Sequence, residues 1–442
     1  MGGLYTGTYR SILASLKNSW ENDRTRLLFI IDGVFINAAA VLTAGIFLSG
    51  YIILLGGSDF LVGVVKNSAI WASIVAFFSF LIYERLEKRK KLLLCLHGIS
   101  RFLLGSVVFF PLFINNNKIN LILVSSCVII GNITWAIYSV GFSVWLMNSV
   151  PKESRSNFVY QRMFWLRISF TIVTLVMGKV LDLFNKSYEG FLFVFISSLI
   201  FSLGDLIALA NIKEAPNIVK KETKINSEIF LEPLKSHIYR GFLIFVFLFY
   251  CFLNISGSFS TVYFIRYLDL DYSILSAFDV SVYVFMIISI RYWRKIESKH
   301  DVKFVLKISS YILIFEFAVY AFLRKESAML IFLGAILSGI GNGGFNIAIF
   351  TYRYDIMPED NRTLYEAWFG AVYGISTLVA PVIGNFFIKT LPEISIFSLK
   401  FNSFQINYFI SFAISLSIIF FSFSGPGKLR VMKDIRRGAY EI

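Results

Sequence analysis

The sequence predicts an all-α integral membrane protein of twelve transmembrane helices, arranged as two six-helix bundles with both termini cytoplasmic. Three observations carry this expectation. Of 442 residues, 57% are hydrophobic and only 16% are charged. A soluble domain holds about 25% charged residues, so this chain could not cover its own surface in water. Twelve apolar runs are each long enough to cross a hydrocarbon core about 30 Å thick, which needs roughly 20 helical residues. Finally, one polar loop is written twice, as Val150-Pro151-Lys152-Glu153-Ser154-Arg155 and as Met357-Pro358-Glu359-Asp360-Asn361-Arg362, with Phe158 matched by Tyr365 at the same offset. The chain is a duplicated membrane domain.

In order, the runs of the first half are Leu27 to Leu55, Phe60 to Tyr83, Leu92 to Ile114, Leu121 to Met147, Phe158 to Phe184 and Phe191 to Ala210. Those of the second half are Phe242 to Arg266, Tyr272 to Ile290, Phe304 to Phe322, Met329 to Phe350, Ala367 to Ile388 and Phe404 to Phe423. A barrel strand needs only about 9 to 11 residues of alternating pattern, so uniform runs of this length are helices. A signal-peptide core spans about 7 to 15 residues, whereas the first run continues to Leu55 and is therefore permanent. Ahead of it, Tyr9, Ile12, Leu13, Leu16 and Trp20 recur at helical spacing with Arg10 and Lys17 off the stripe, which reads either as an interfacial helix or as a tail. The organisation is then an N-terminal segment (1–26), a six-helix bundle (27–210), a linker of mixed charge (211–241), a second bundle (242–424) and a basic tail (425–442).

Basic residues concentrate in alternate connections: Arg85 to Lys91, Lys152 and Arg155, Lys213 to Lys224, Arg294 to Lys299, and Arg362, together with both tails. Of the intervening connections, Gly56 to Asp59 has no basic residue and Asn115 to Asn120 has only Lys118. Short loops rich in Lys and Arg stay in the cytoplasm, so both ends are expected inside, in a multi-pass plasma-membrane protein.

Other classes are excluded residue by residue. A formal charge of +14 would suit nucleic acid only if gathered on a soluble basic face, and here it lies between apolar runs. Cys95, Cys127 and Cys251 all fall within apolar stretches as small core residues, so no disulfide framework or metal pair is expected. No Gly-rich phosphate loop, Walker Lys or metal-spaced His/Cys set occurs, and His97, His237 and His300 are scattered. No cofactor and no enzymatic activity are expected.

Six plus six spans, a basic loop after span two and a repeated Pro-x-x-x-Arg loop after spans four and ten resemble the major facilitator superfamily of secondary transporters over Leu27 to Phe423. Glu84-Arg85-Leu86-Glu87-Lys88-Arg89-Lys90 is similar to that family's loop after span two, with Glu87 where Gly is expected. The resemblance implies that Glu84, Arg85, Arg155 and Arg362 gate the passage between states through charge pairs that form and break. Asp32 to Ala39 is similar to a span-one motif of the drug/proton antiporters, lacking its Thr and closing Pro. Their Gly-Pro pair in span five is absent, and span eleven carries Gly370, Gly374, Pro381 and Gly384 instead. Pro381 is thereby a candidate hinge.

Charges inside a bilayer cost about 2.5 to 3.5 kcal/mol on insertion scales and mark pathways or buried partners. Asp32 is the candidate for proton coupling, with an ion pair to Arg167 as the alternative. Arg167 and Asp279 sit on spans that the resemblance places at the seam, while Arg101, Asp205 and Glu316 sit on peripheral ones. Lys179, Asp182 and Arg266 are expected to snorkel toward headgroups. Asn37, Asn132, Trp135, Tyr138, Asn254, Ser258, Asn342 and Asn346 complete the cavity candidates, on helices the fold makes central. For Gly339 to Gly344, packing or a hinge is the favoured reading. The expectation is a monomeric, proton-coupled exporter of small amphipathic compounds with few charges. Uptake or translocation of another solute, and a non-transporting sensor or enzyme, are the alternatives.

Overall fold

A computed structural model describes residues 24–77, 79, 83, 86, 88–150, 155–214, 230–358, 362–396 and 399–424. The interfacial stripe before Arg24, Glu84 and Arg85, most of both duplicated loops, the centre of the linker and the basic tail lie outside the described residues.

Helices dominate, as expected. In the first half they are α1 (Arg24–Leu54), α2 (Asp59–Ala76), α3 (Lys90–Phe113), α4 (Asn117–Asn148), α5 (Arg155–Leu183) and α6 (Tyr188–Ala210). The second half repeats the order with α7 (His237–Tyr267), α8 (Tyr272–Glu297), α9 (Val302–Tyr320), α10 (Ala328–Ile356), α11 (Arg362–Thr390) and α12 (Ser403–Ser424). Eleven of these are long and apolar enough to cross a membrane. The exception is α9, which has 19 residues but carries Lys303, Lys307 and Glu316. It packs along α10 within the second bundle, where Glu316 and Ser338 of α10 interact. A second departure from the all-helical expectation is a hairpin of two three-residue strands, β1 (Ile394–Ile396) and β2 (Leu399–Phe401), paired antiparallel between α11 and α12.

Several helices are broken where the sequence alone looked continuous. α1 stops at Thr43 and restarts at Gly45, whose φ of +50° lies in the left-handed region where a β-carbon is unfavourable. α2 consists of three pieces, Asp59–Lys66, Ser68–Trp71 and Ser73–Ala76. Such breaks are tolerated at membrane depth only where protein or a watery cavity satisfies the freed backbone groups. Pro381, by contrast, sits within one continuous helix.

The α10 glycines serve packing. A β-carbon on Gly339 would stand 2.5 Å from the Val282 carbonyl oxygen of α8, and one on Gly341 would stand 2.7 Å from the Leu313 backbone of α9. Small residues at such crossings let helices approach closely where no hydrophobic driving force exists in lipid. The cysteines are less uniform than the sequence suggested: Cys251 is buried, Cys127 is intermediate and Cys95 is exposed.

The halves meet along a seam in which α5 packs on α8, and α2 packs on both α7 and α11. At one end of the seam the halves are joined by polar contacts. Arg266 pairs with Asp59 and donates to the Gly57 carbonyl at 2.8 Å, while Tyr267 donates to Asp59 at 2.9 Å. Lys186 pairs with Asp271 at 3.1 Å and with Asp269 at 3.4 Å, contacts that hold its ammonium's pKa above the ordinary lysine value against an opposing effect of burial. Asp182 accepts from the first amides of α8, Tyr272 and Ser273, at 2.8 Å each, which satisfies helix-terminal donors. Asp182 and Arg266 therefore bind protein across the seam, where snorkelling was expected.

Candidate functional site

The intramembrane charges sort into two groups, and facing decides which. Within the first bundle, Arg162 Nη2 donates to Asp32 at 3.0 Å, and its Nε donates to the Phe29 carbonyl at 3.0 Å. Asp32 is only 1% exposed. It also meets Asp205, which bonds His97 of α3. The guanidinium of Arg101 lies 4.1 Å from the Trp135 ring, and Tyr138 packs against His97 in a tilted contact at 4.6 Å between centroids. The partner of Asp32 is thus Arg162, in place of Arg167, and His97 is far from isolated. A carboxylate taken into a low-dielectric interior is tolerable when a guanidinium compensates it, which accounts for the chain of contacts.

The second group faces a cavity of about 340 Å³ at the seam. Asn37, Ala44, Gly45 and Arg167 line it from the first half, and Asp279 and Tyr283 line it from the second. Asn37 is held by a 2.6 Å bond to the Leu166 carbonyl, which ties α1 to α5. Phe170 packs edge-on to Tyr283 at 4.6 Å between centroids, so α5 and α8 present an aromatic wall. Arg167 lies over the Tyr283 ring at 4.4 Å, a cation–π contact between the halves. Asp279 interacts electrostatically with Lys66, a residue of α2 that sequence reasoning missed. The Lys66 ammonium donates to Thr261 at 2.8 Å across the seam. Its signal was present, since a lysine inside an apolar run is by default a functional candidate.

Of the sequence-predicted site residues, Asn37, Arg167 and Asp279 are brought to one cavity. The others lie elsewhere. Asn132 donates to Ser68 at 2.7 Å inside the first bundle, and Trp135 and Tyr138 belong to the aromatic cluster around His97. Asn254 donates to the Tyr250 carbonyl of its own helix, and Ser258 accepts from Asn67 at 2.7 Å in the contact of α2 with α7. Asn342 turns back on Ser338, and Asn346 is exposed. Among the gating candidates, Arg155 opens α5, and Arg362 opens α11 with its guanidinium 5.7 Å from the Tyr354 ring.

The MFS_1 like family model matches residues 47–399. Similar folds occur among solved structures at low identity. A D-xylose-proton symporter is 14% identical with a TM-score of 0.68, the match covering 92% of this chain and 99% of that one. A mutant of the nucleoside transporter NupG is 15% identical with a TM-score of 0.68, covering 90% and 98%. A bacterial homologue of the iron transporter ferroportin, in an inward-facing state, is 14% identical with a TM-score of 0.66, covering 90% and 97%. At these identities the likeness is one of fold.

Proposed function

Because the chain belongs to the MFS_1 like family of the major facilitator superfamily, it is a secondary transporter, and we propose that it exports small amphipathic compounds by proton-coupled alternating access. The observation that carries the reading is the seam cavity, whose walls come from both halves, in a seam that Arg266, Lys186 and Asp182 bridge at one end. A site shared between two rocking bodies changes its access when they rock. The bridging contacts are exposed enough to exchange for water, which suits a reversible gate.

For the coupling acid, geometry favours Asp279 over Asp32. Asp279 lines the cavity, where a proton can arrive through water, and its partner Lys66 comes from the other half, so its ionisation bears on how the halves attract. Asp32 is sealed within one bundle against Arg162. In proteoliposomes loaded with a solute found by ligand-stabilisation screening, Asp279→Asn is expected to abolish the response of flux to an imposed pH gradient while solute exchange continues. Asp32→Asn should keep that response in whatever fraction of protein folds. Gradient-driven flux of wild-type size in Asp279→Asn would remove Asp279 from coupling.

Outward transport and the orientation are parts of the same proposal, with the termini cytoplasmic, the plasma membrane as location and the monomer as the working unit. Topology reporters fused after Lys118 and after Lys221 should report opposite sides, the second cytoplasmic. Both on one side would overturn the frame.

A further inference from the structure

The seam cavity holds two opposite charges that do not meet. Arg167 of α5 and Asp279 of α8 both line it, and both are half-buried. Among the described residues no ion pair joins them and neither makes a hydrogen bond. The guanidinium is held by its face instead, 4.4 Å from the Tyr283 ring centroid. Lys66 acts on Asp279 through its charge, but its ammonium donates elsewhere, to Thr261 at 2.8 Å and to the Gly257 carbonyl at 3.5 Å. A guanidinium has five donors and a carboxylate about four acceptor sites. At membrane depth such charges are kept where they have a partner or a passenger.

Sequence position sets the spacing of the two groups. Asp279 and Tyr283 are four residues apart on α8, which places them on one face with β-carbons about 5–6 Å apart. Because Arg167 lies over Tyr283, the charges are spaced by about one helical turn along the cavity wall. They are unpaired with each other, yet one small molecule can reach both. Phe170 packs edge-on to Tyr283 at 4.6 Å between centroids and makes the wall beside them apolar, while Ala40, Ala44 and Gly45 of α1 line the cavity with little bulk.

We infer that the cargo is a small apolar zwitterion of the amino-acid type, its carboxylate on the edge of Arg167, its ammonium on Asp279 and its body against Phe170 and Tyr283. A guanidinium stacked by its face keeps its edge donors free, and that edge matches a carboxylate in a planar two-point fork. A solute with one charge would satisfy one group and leave the other without a partner as the seam closes, the costly arrangement for a buried charge. A zwitterion leaves both compensated and adds no net charge. The cavity volume, about 340 Å³, lies at the small end of ligand pockets, which run from about 300 to 1,000 Å³. The inference rests on the transport reading and names the cargo of that same site.

The test uses the full-length protein and two probe sets, each sharing one body and losing one charge at a time without added bulk. The first is phenylalanine, phenethylamine and hydrocinnamate, with hydrocinnamamide as the neutral member. The second is leucine, isoamylamine and isocaproate. Thermal stabilisation near neutral pH is read first, and flux in proteoliposomes second. Each amino acid is expected to bind about ten-fold or more tighter than either of its singly charged analogues, the loss of a charge-assisted hydrogen bond. Arg167→Gln should weaken phenylalanine by a similar factor and leave phenethylamine unchanged. Asp279→Asn should weaken phenylalanine and leave hydrocinnamate unchanged; its amide keeps a carbonyl acceptor, so the exchange expected of that variant runs at higher solute concentration. Ligand-free melting temperatures establish that the variants fold, and the wild-type ranking decides the proposal where one does not. Amines or acids that bind as well as the amino acids, no stabilisation by either amino acid, or phenylalanine affinity unchanged in either folded variant would each overturn the assignment. Amino-acid binding without flux would leave the zwitterion site standing and remove the transport reading, and flux confined to singly charged or neutral solutes would do the reverse.

Discussion

Replacing Arg162 with alanine is expected to lower the thermal stability of the purified protein more than any other single charge removal in the first bundle. The guanidinium supplies both the Asp32 contact at 3.0 Å and the bond to the Phe29 carbonyl, so its loss strands a buried carboxylate and a buried acceptor together. Removing one partner of a buried pair costs about 3–5 kcal/mol. Asp32→Asn combined with Arg162→Met should recover part of that loss, because it removes the charge left behind while filling similar volume. Arg167→Ala, five residues on, should change stability little, since its side chain faces the cavity. A melting shift below about 2 °C for Arg162→Ala would mean that water or another cation reaches Asp32, and the buried-pair reading would fail.

Gly178→Val is expected to cut transport by about ten-fold or more while leaving a folded protein. A β-carbon at Gly178 of α5 would stand 2.1 Å from Ser276 Oγ and 2.7 Å from the Tyr272 carbonyl oxygen of α8. The second neighbour is backbone and cannot rotate away. The clash lies between the halves, so the molecule can relieve it by opening the closed face of the seam without disrupting either bundle. Overpacking of this kind costs about 1–3 kcal/mol, and the backbone clash puts Gly178→Val toward the upper end, where about 1.4 kcal/mol already shifts a two-state balance ten-fold toward the state with that face open. A cysteine introduced at Phe47 in a background lacking Cys95, Cys127 and Cys251 should become more reactive to an impermeant thiol reagent from that face. Gly98→Ala serves as control, because the nearest atom to an added β-carbon there is a Leu206 methyl at 3.8 Å, an ordinary contact within one bundle. Wild-type flux in Gly178→Val would show that closure at this crossing is not required.

The helices were legible because bilayer thickness and backbone hydrogen bonding leave an apolar run of this length few other options. The breaks were less so. Thr43 and Ala44 sit within an apolar stretch, and the sequence offers only Gly45, left-handed at φ +50°, as a mark of the interruption of α1 beside the cavity. α9 reads as a span in the sequence but fails the same apolar measure as its neighbours, since Lys303, Lys307 and Glu316 fall in one short helix. The hairpin Ile394–Phe401 carried no signal of comparable strength, two three-residue strands being too short for a periodicity.

The intramembrane charges show the division most clearly. Depth along the chain told that Asp32 and Arg167 belonged inside the membrane, and it offered a pair between them as the alternative to proton coupling at Asp32. Five residues along a helix turn a side chain by about 140°, so Arg162 and Arg167 face different ways, as do Asp32 and Asn37. One member of each couple points into the first bundle, where Arg162 meets Asp32, and the other points into the seam, where Arg167 meets Tyr283. An amphipathic soluble helix writes its facing into its sequence, but a span with lipid on one side and apolar protein on the other does not. The sequence therefore determined the membrane class, the repeat and which residues carry charge at depth. The tertiary structure alone decided which charges compensate each other inside a bundle and which remain open to a passenger, because that depends on the rotation of each helix against its neighbours.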